Sequence, residues 1–171
     1  MMNKARYWAG LAILMGGMLA FSTQGQPSDN PAAGGPSIEG TYKLVSRMFT
    51  DGTTKTAPDV VGMLTYTKAH RNFNVYWKDA GGKVFSYSLV STYTLTATQY
   101  METVQLSIMN DQIGGKNIVY DLSGQSKSAP VTMENGRVMF KMPFDPVTAT
   151  FEGDKLVATS PDFTDTWQRV K

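Results

Sequence analysis

The chain of 171 residues carries 16 Lys and Arg against 14 Asp and Glu, and 42% of it is hydrophobic. That length predicts one domain, and a charged fraction of 18% is too low for a disordered chain. The absence of cysteine excludes disulfides and thiolate chemistry, and a histidine-built zinc site, a Ser–His pair or a His-ligated haem would each hang on the single histidine, His70.

The N-terminus reads as a targeting segment. Lys4 and Arg6 precede an apolar run from Trp8 to Phe21, and the small or polar residues Ser22, Thr23, Gln24 and Gly25 follow. Basic, apolar, then small is the pattern of a secretory signal peptide over residues 1–25. The run is shorter than the roughly 20 residues of a spanning helix, so no membrane span is expected after cleavage. The expected location is secreted or periplasmic. Losing Lys4 and Arg6 leaves basic and acidic residues equal in number and dispersed along the chain. Such a surface offers no footprint for nucleic acid. Residues 26–37, with three prolines, two glycines and no large apolar side chain, read as a flexible linker.

From Ile38 to Lys171 the chain alternates apolar and polar residues, rich in β-branched and aromatic types. Strands are predicted over Thr41–Phe49, Gly62–Thr67, Asn72–Lys78, Val84–Ala97, Gln99–Met109 and Asn117–Ser123. Further strands follow over Val131–Glu134, Arg137–Met142, Val147–Glu152, Lys155–Thr159 and Thr164–Val170. The polar stretch from Asp51 to Asp59 reads as a loop with room for one helical turn. Asn135-Gly136, between two alternating runs, is a strong two-residue hairpin signal. Short strands at this spacing predict an all-β sandwich or barrel.

Parity assigns the faces. Tyr42, Leu44 and Met48 fall together, as do Leu64 with Tyr66, Phe73 with Trp77, and Phe85 through Leu95 at every second residue. On the next strand Tyr100, Glu102, Val104, Leu106 and Ile108 share a face, followed by Ile118, Tyr120 and Leu122, then Val138 and Phe140. Glu102 is thereby a carboxylate on an apolar face. A barrel of about eight strands has room for its own side chains or one small ligand. Inward Tyr and Trp, with a polar tip on an apolar body, suit a semi-polar pocket.

Three stretches resemble the lipocalin-like domains of the calycin superfamily. Gly40-Thr41-Tyr42 is similar to their opening G-x-W strand, with Tyr42 in the Trp position. Gly62-Met63-Leu64-Thr65-Tyr66-Thr67 resembles the second strand of bacterial members, and Thr166-Trp167-Gln168-Arg169 the closing one. Tyr93-Thr94-Leu95 and Tyr100-Met101-Glu102 are similar to their central strands. The resemblance implies a single antiparallel up-and-down β-barrel of about 8–10 strands. It also implies closure through Gly40, Tyr42, Trp167 and Arg169, the guanidinium stacking on the first-strand ring.

The expected function is binding of a small hydrophobic or amphipathic molecule, lined by Tyr66, Trp77, Tyr93, Glu102, Tyr120 and Phe140. Glu102 is the one catalytic candidate, as acid or base of a barrel isomerase or hydrolase; against this stands a merely structural ion pair. The third reading is an envelope interaction module that binds no ligand. His70 reads as a hairpin-loop residue. The seven methionines after the signal are scattered singly, which suits core filling better than Cu(I). Asp145, Asp154, Asp162 and Asp165 read as loop carboxylates without the spacing of a calcium site. No metal or cofactor is expected.

Overall fold

A computed structural model describes residues 36–171, so the predicted signal peptide and nearly all of the linker lie outside the described residues. Twelve strands follow in chain order: β1 (Gly40–Phe49), β2 (Thr54–Lys55), β3 (Val60–Tyr66), β4 (His70–Lys78), β5 (Val84–Leu95) and β6 (Gln99–Asp111). Then come β7 (Val119–Asp121), β8 (Ser126–Glu134), β9 (Arg137–Lys141), β10 (Thr148–Glu152), β11 (Lys155–Thr159) and β12 (Phe163–Arg169). There is no helix among the described residues, hence none long and apolar enough to cross a membrane.

Sequential neighbours pair antiparallel round the sheet, and β12 returns to pair with β1, closing an up-and-down barrel of 10 strands. Closure removes the free edges that an open sheet would present. The short β2 and β7 lie off the main circuit, on β1 and β6 respectively. The Asp51–Asp59 stretch thus contains β2 and, after it, a single turn closed by the Asp59 and Val60 N–H groups on the Thr56 carbonyl at 3.0 and 3.1 Å. The predicted hairpin at Asn135-Gly136 is present, with φ of 50° and 77°. Two successive positive φ values are the twist that a two-residue hairpin requires. β8 starts at Ser126, earlier than its apolar pattern, and its first half pairs with β6 before its second half pairs with β9.

Two β-bulges decide what faces the interior. In β1 the register slips between Leu44 and Ser46 while β12 stays regular. An extra residue on one strand shifts every later side chain to the opposite face. Arg47 therefore turns inward opposite Asp165, and Met48, expected inside, is 50% exposed. In β6 the register slips by one residue at Gln105, so Val104 pairs with Ser91 but Leu106 with Val90. Above the slip Ser107, Met109 and Asp111 face the interior with Leu89, Tyr87 and Phe85, and Leu106 and Ile108 do not. β7 inherits this flip, because Tyr120 pairs with the outward Ile108. Ile118, Tyr120 and Leu122 are accordingly exposed, contrary to the parity expectation.

At one end the barrel is sealed. Tyr42 is fully buried and donates to the Ile38 carbonyl at 3.2 Å, while Arg169 Nη2 donates to the Tyr42 hydroxyl at 2.8 Å. The Arg169 guanidinium carbon lies 5.3 Å from the Tyr42 ring centroid, within cation–π range. Gly40 has φ of 141°, and a Cβ there would stand 3.1 Å from Arg169 Nε. The position combines a conformation that favours glycine with a close approach that excludes a side chain.

Candidate functional site: a half-filled barrel with two internal arginines

The interior divides into a packed floor and an open cup. Rings fill the floor. Tyr93 stacks on Tyr100 at 5.7 Å, Tyr100 on Phe140 at 4.2 Å, and Phe140 on Phe151 at 5.8 Å. Tyr42 and Tyr66 meet Phe151 edge-on. These offset and edge contacts are the favoured geometries for aromatic pairs.

Above this floor lies a cavity of about 220 Å³. Its walls include Phe73, Trp77, Phe85, Phe151, Phe163 and Trp167, with Tyr66 and Arg71 at the level of the floor. The indole of Trp77 and the ring of Phe85 are stacked face to face at 3.9 Å on one side of the cavity. That volume is below the roughly 300–1,000 Å³ of drug-sized sites, so a guest must be small.

Two arginines enter this interior, each with its own acid. Arg47 Nε and Nη2 bond the two carboxylate oxygens of Asp165, both at 2.7 Å. The guanidinium carbon sits 4.1 Å from the Trp77 ring centroid and 3.8 Å from that of Phe163. Planar, weakly hydrated guanidinium suits such a sandwich, where ammonium would not. Deeper, Arg71 Nη1 donates to Glu102 Oε1 at 2.9 Å, and the Ser91 hydroxyl donates to the same oxygen at 2.5 Å. Arg47 is 2% exposed and Glu102 1%. Cations so deep are tolerated because each is paired and hydrogen-bonded.

The pairing is incomplete in one respect. Arg47 Nη1 and Arg71 Nε are buried N–H groups without an acceptor, although both residues line the cavity. A buried donor left unsatisfied costs about 1–3 kcal/mol, and neither of these nitrogens is open to water, so both stand behind the cavity surface.

The phenols are held neutral. Burial pushes the Tyr66 hydroxyl up to about 12, and desolvation raises Tyr87, Tyr93 and Tyr100 as well. An unfolded tyrosine releases its proton near pH 10, so between about pH 10 and 12 the unfolded chain binds fewer protons than the folded one. Stability should fall as pH rises through that window, by about 1.4 kcal/mol per unit from Tyr66, the other raised phenols acting in the same direction. Urea midpoints measured at successive alkaline pH values, with phenolate absorbance followed alongside, check this. Full ionisation of all the tyrosines in the folded state near pH 10 would contradict it. The half-buried Asp145 carboxyl is also raised, by desolvation first, while nearby Arg71 opposes the rise.

The six expected lining residues divide three ways. Tyr66 and Trp77 line the cavity. Tyr93, Glu102 and Phe140 are buried in the floor beneath it, outside the lining. Tyr120 is on the outside, 63% exposed, because the β6 bulge reverses the parity on which its placement rested. Asp165, read as a loop carboxylate, belongs to β12 and is Arg47's partner. Arg47 and Arg71 were missed by sequence reasoning. Arg71 carries a usable signal, since it lies two residues before Phe73 on one face of β4. Arg47 carries none without knowledge of the bulge. His70 opens β4 and is exposed. No three His or carboxylate side chains gather into a potential metal site among the described residues.

Fold and cup together define a closed antiparallel barrel holding a small, mostly aromatic chamber with two internal guanidinium donors. No protein-family model, curated protein or solved structure matches the chain.

Proposed function

We propose that this is an exported, lipocalin-like binding protein that holds one small amphipathic molecule in the cup. The observation that carries the proposal is a cavity of about 220 Å³ above the packed floor, walled mainly by Phe73, Trp77, Phe85, Phe151, Phe163 and Trp167, with Arg47 and Arg71 among its lining residues. A barrel built only as an interaction module gains nothing from leaving the upper half hollow. A filled core recovers burial energy at about 25 cal/mol per Å² of apolar area. Support for the lipocalin-like reading comes from the three motif stretches and from Arg169 lying over Tyr42. Support for export comes from the basic, apolar and small pattern of residues 1–25.

Acid–base catalysis by Glu102 is disfavoured. Its Oε1 already accepts from Arg71 and Ser91, and the residue does not reach the cavity wall. Glu102 serves instead as the fixed support that aims Arg71.

Native mass spectrometry of protein recovered from the extracytoplasmic fraction of its own host tests both halves of the proposal. The expected spectrum shows a chain lacking about the first 25 residues and carrying one non-covalent organic adduct. An intact N-terminus would overturn export. Absence of any adduct, together with no fluorescence response of Trp77 or Trp167 to small apolar compounds, would overturn the binding role.

A further inference from the structure

The charges around the cup do not cancel, and the remainder narrows what it can hold, an inference that rests on the binding role above. Two ion pairs are closed: Arg47 bonds both carboxylate oxygens of Asp165, and Arg71 bonds Glu102. Asp145 and Asp162 also line the cavity, and neither has a cation within ion-pair distance among the described residues. The closed pairs contribute no net charge, so the two lone acids leave the chamber negative.

Both acids belong to the open end of the barrel. Tyr42 opposite Arg169 marks the sealed end of the β1–β12 pairing, and Phe49 opposite Phe163 marks the other. Asp162 immediately precedes Phe163 and is exposed at the rim. Asp145 lies in the connection from β9 to β10, which leaves and rejoins the sheet at that same end, where Lys141 pairs with Thr148. It is half-buried and reaches in far enough for the charges of Arg71 and Glu102 to act on it, and for its own charge to act on Tyr87. Desolvation raises its carboxyl, and Arg71, already bonded to Glu102, opposes the rise only in part. Unlike Arg47 Nη1 and Arg71 Nε, its oxygens are not closed off from the cavity that the residue lines.

A carboxylate in such surroundings favours a nearby cation and opposes another anion, because screening by water is weak there. An ammonium at Asp145 would make a charge-assisted hydrogen bond and stand in for the hydration that burial removes. The apolar remainder of the guest meets Phe73, Val75, Phe151, Leu156 and Ala158 on the walls. Asp162 at the rim adds attraction for a cation on its way in. We propose that the cup selects a small primary amine with an apolar body, its ammonium bonded to the Asp145 carboxylate, and that it disfavours the matching carboxylate.

Equilibrium dialysis of the protein at neutral pH against three probes of similar size tests this: 2-phenylethylamine, 2-phenylethanol and phenylacetate. The amine should be retained at least about tenfold more tightly than the alcohol, the size of one hydrogen bond to a charged group, and phenylacetate least of all. In Asp145→Asn, which removes the charge with little change of shape, amine binding should fall to the level of the alcohol while alcohol binding stays unchanged. Equal binding of amine and alcohol by the wild type, or tighter binding of phenylacetate than of the amine, would overturn the selection and leave the cup standing. An undiminished preference for the amine in Asp145→Asn would overturn the role of that acid. Retention of none of the three would overturn the ligand-binding role itself. The wild-type comparison decides the class of guest even if the variant does not fold.

Discussion

Glu102→Leu should lower the stability of the barrel by about 3–5 kcal/mol, the usual cost of leaving one member of a buried ion pair without its partner. The reason lies in the surroundings of Arg71. Its guanidinium is held between the Phe73 ring, 5.0 Å away, and the Tyr66 ring, 6.0 Å away, and Glu102 is the only carboxylate it bonds among the described residues. Arginine does not shed its proton to escape burial, so the charge would persist without a bonded partner, only the unbonded Asp145 carboxyl lying nearby. The Ser91 hydroxyl would lose its acceptor at the same stroke. Arg71→Met combined with Glu102→Leu should recover most of the loss, because removing both charges leaves two apolar side chains in a ring-lined space. Urea unfolding of the two single variants and the double variant measures this. A single-variant cost below about 1 kcal/mol, the range of an exposed pair, would show that the two groups are solvated in the folded protein.

The second large effect belongs to Trp167. Trp167→Ala should destabilise by about 3–5 kcal/mol, as expected for deleting a large buried aromatic from a core that cannot collapse around the void. Collapse is obstructed here because β12 closes the barrel against β1, with Leu44 directly opposite Trp167. The neighbouring Gly62 shows how closely the indole is fitted. A Cβ at that position would approach the ring to 2.6 Å, with Leu44 3.1 Å away on the other side. Gly62→Ala should therefore also destabilise, by about 1–3 kcal/mol through overpacking, whereas in the Trp167→Ala background it should be nearly neutral or stabilising. Thermal unfolding of the four proteins in this cycle reads the coupling. Additive losses would mean that Gly62 and Trp167 do not share the space assigned to them.

Much of the architecture is legible in the sequence because it depends on local chemistry. Alternation marks most of the barrel strands, and Asn135-Gly136 marks its hairpin through the only residue types that easily take two positive φ angles in succession. Tyr42 and Arg169 are recognisable as a closing pair because a ring and a guanidinium at the two ends of a chain have an evident use when those ends meet. The contents of the cup are far less legible. Parity counts residues, and it is correct only while the count on the two partner strands agrees. After Val45 and after Gln105 it does not, so Arg47 enters where Met48 is expected, and Tyr120 leaves. Ser126–Pro130 is invisible for a different reason. It has little β-branched or aromatic content and includes Pro130, yet it pairs with β6 along its length. Long-range pairing here overrides weak local preference.

The slip in β1 makes the pairing of one residue a determinant of what the chamber accepts. Were Val45 kept but paired evenly with Thr166, Ser46 would stand opposite Asp165, Met48 would turn to the interior, and Arg47 would leave it, so that Asp165 would lose its counterion. Excising Val45, the residue the bulge accommodates, would instead leave Arg47 opposite Asp165. The chamber's charge thus depends on a residue that does not line it.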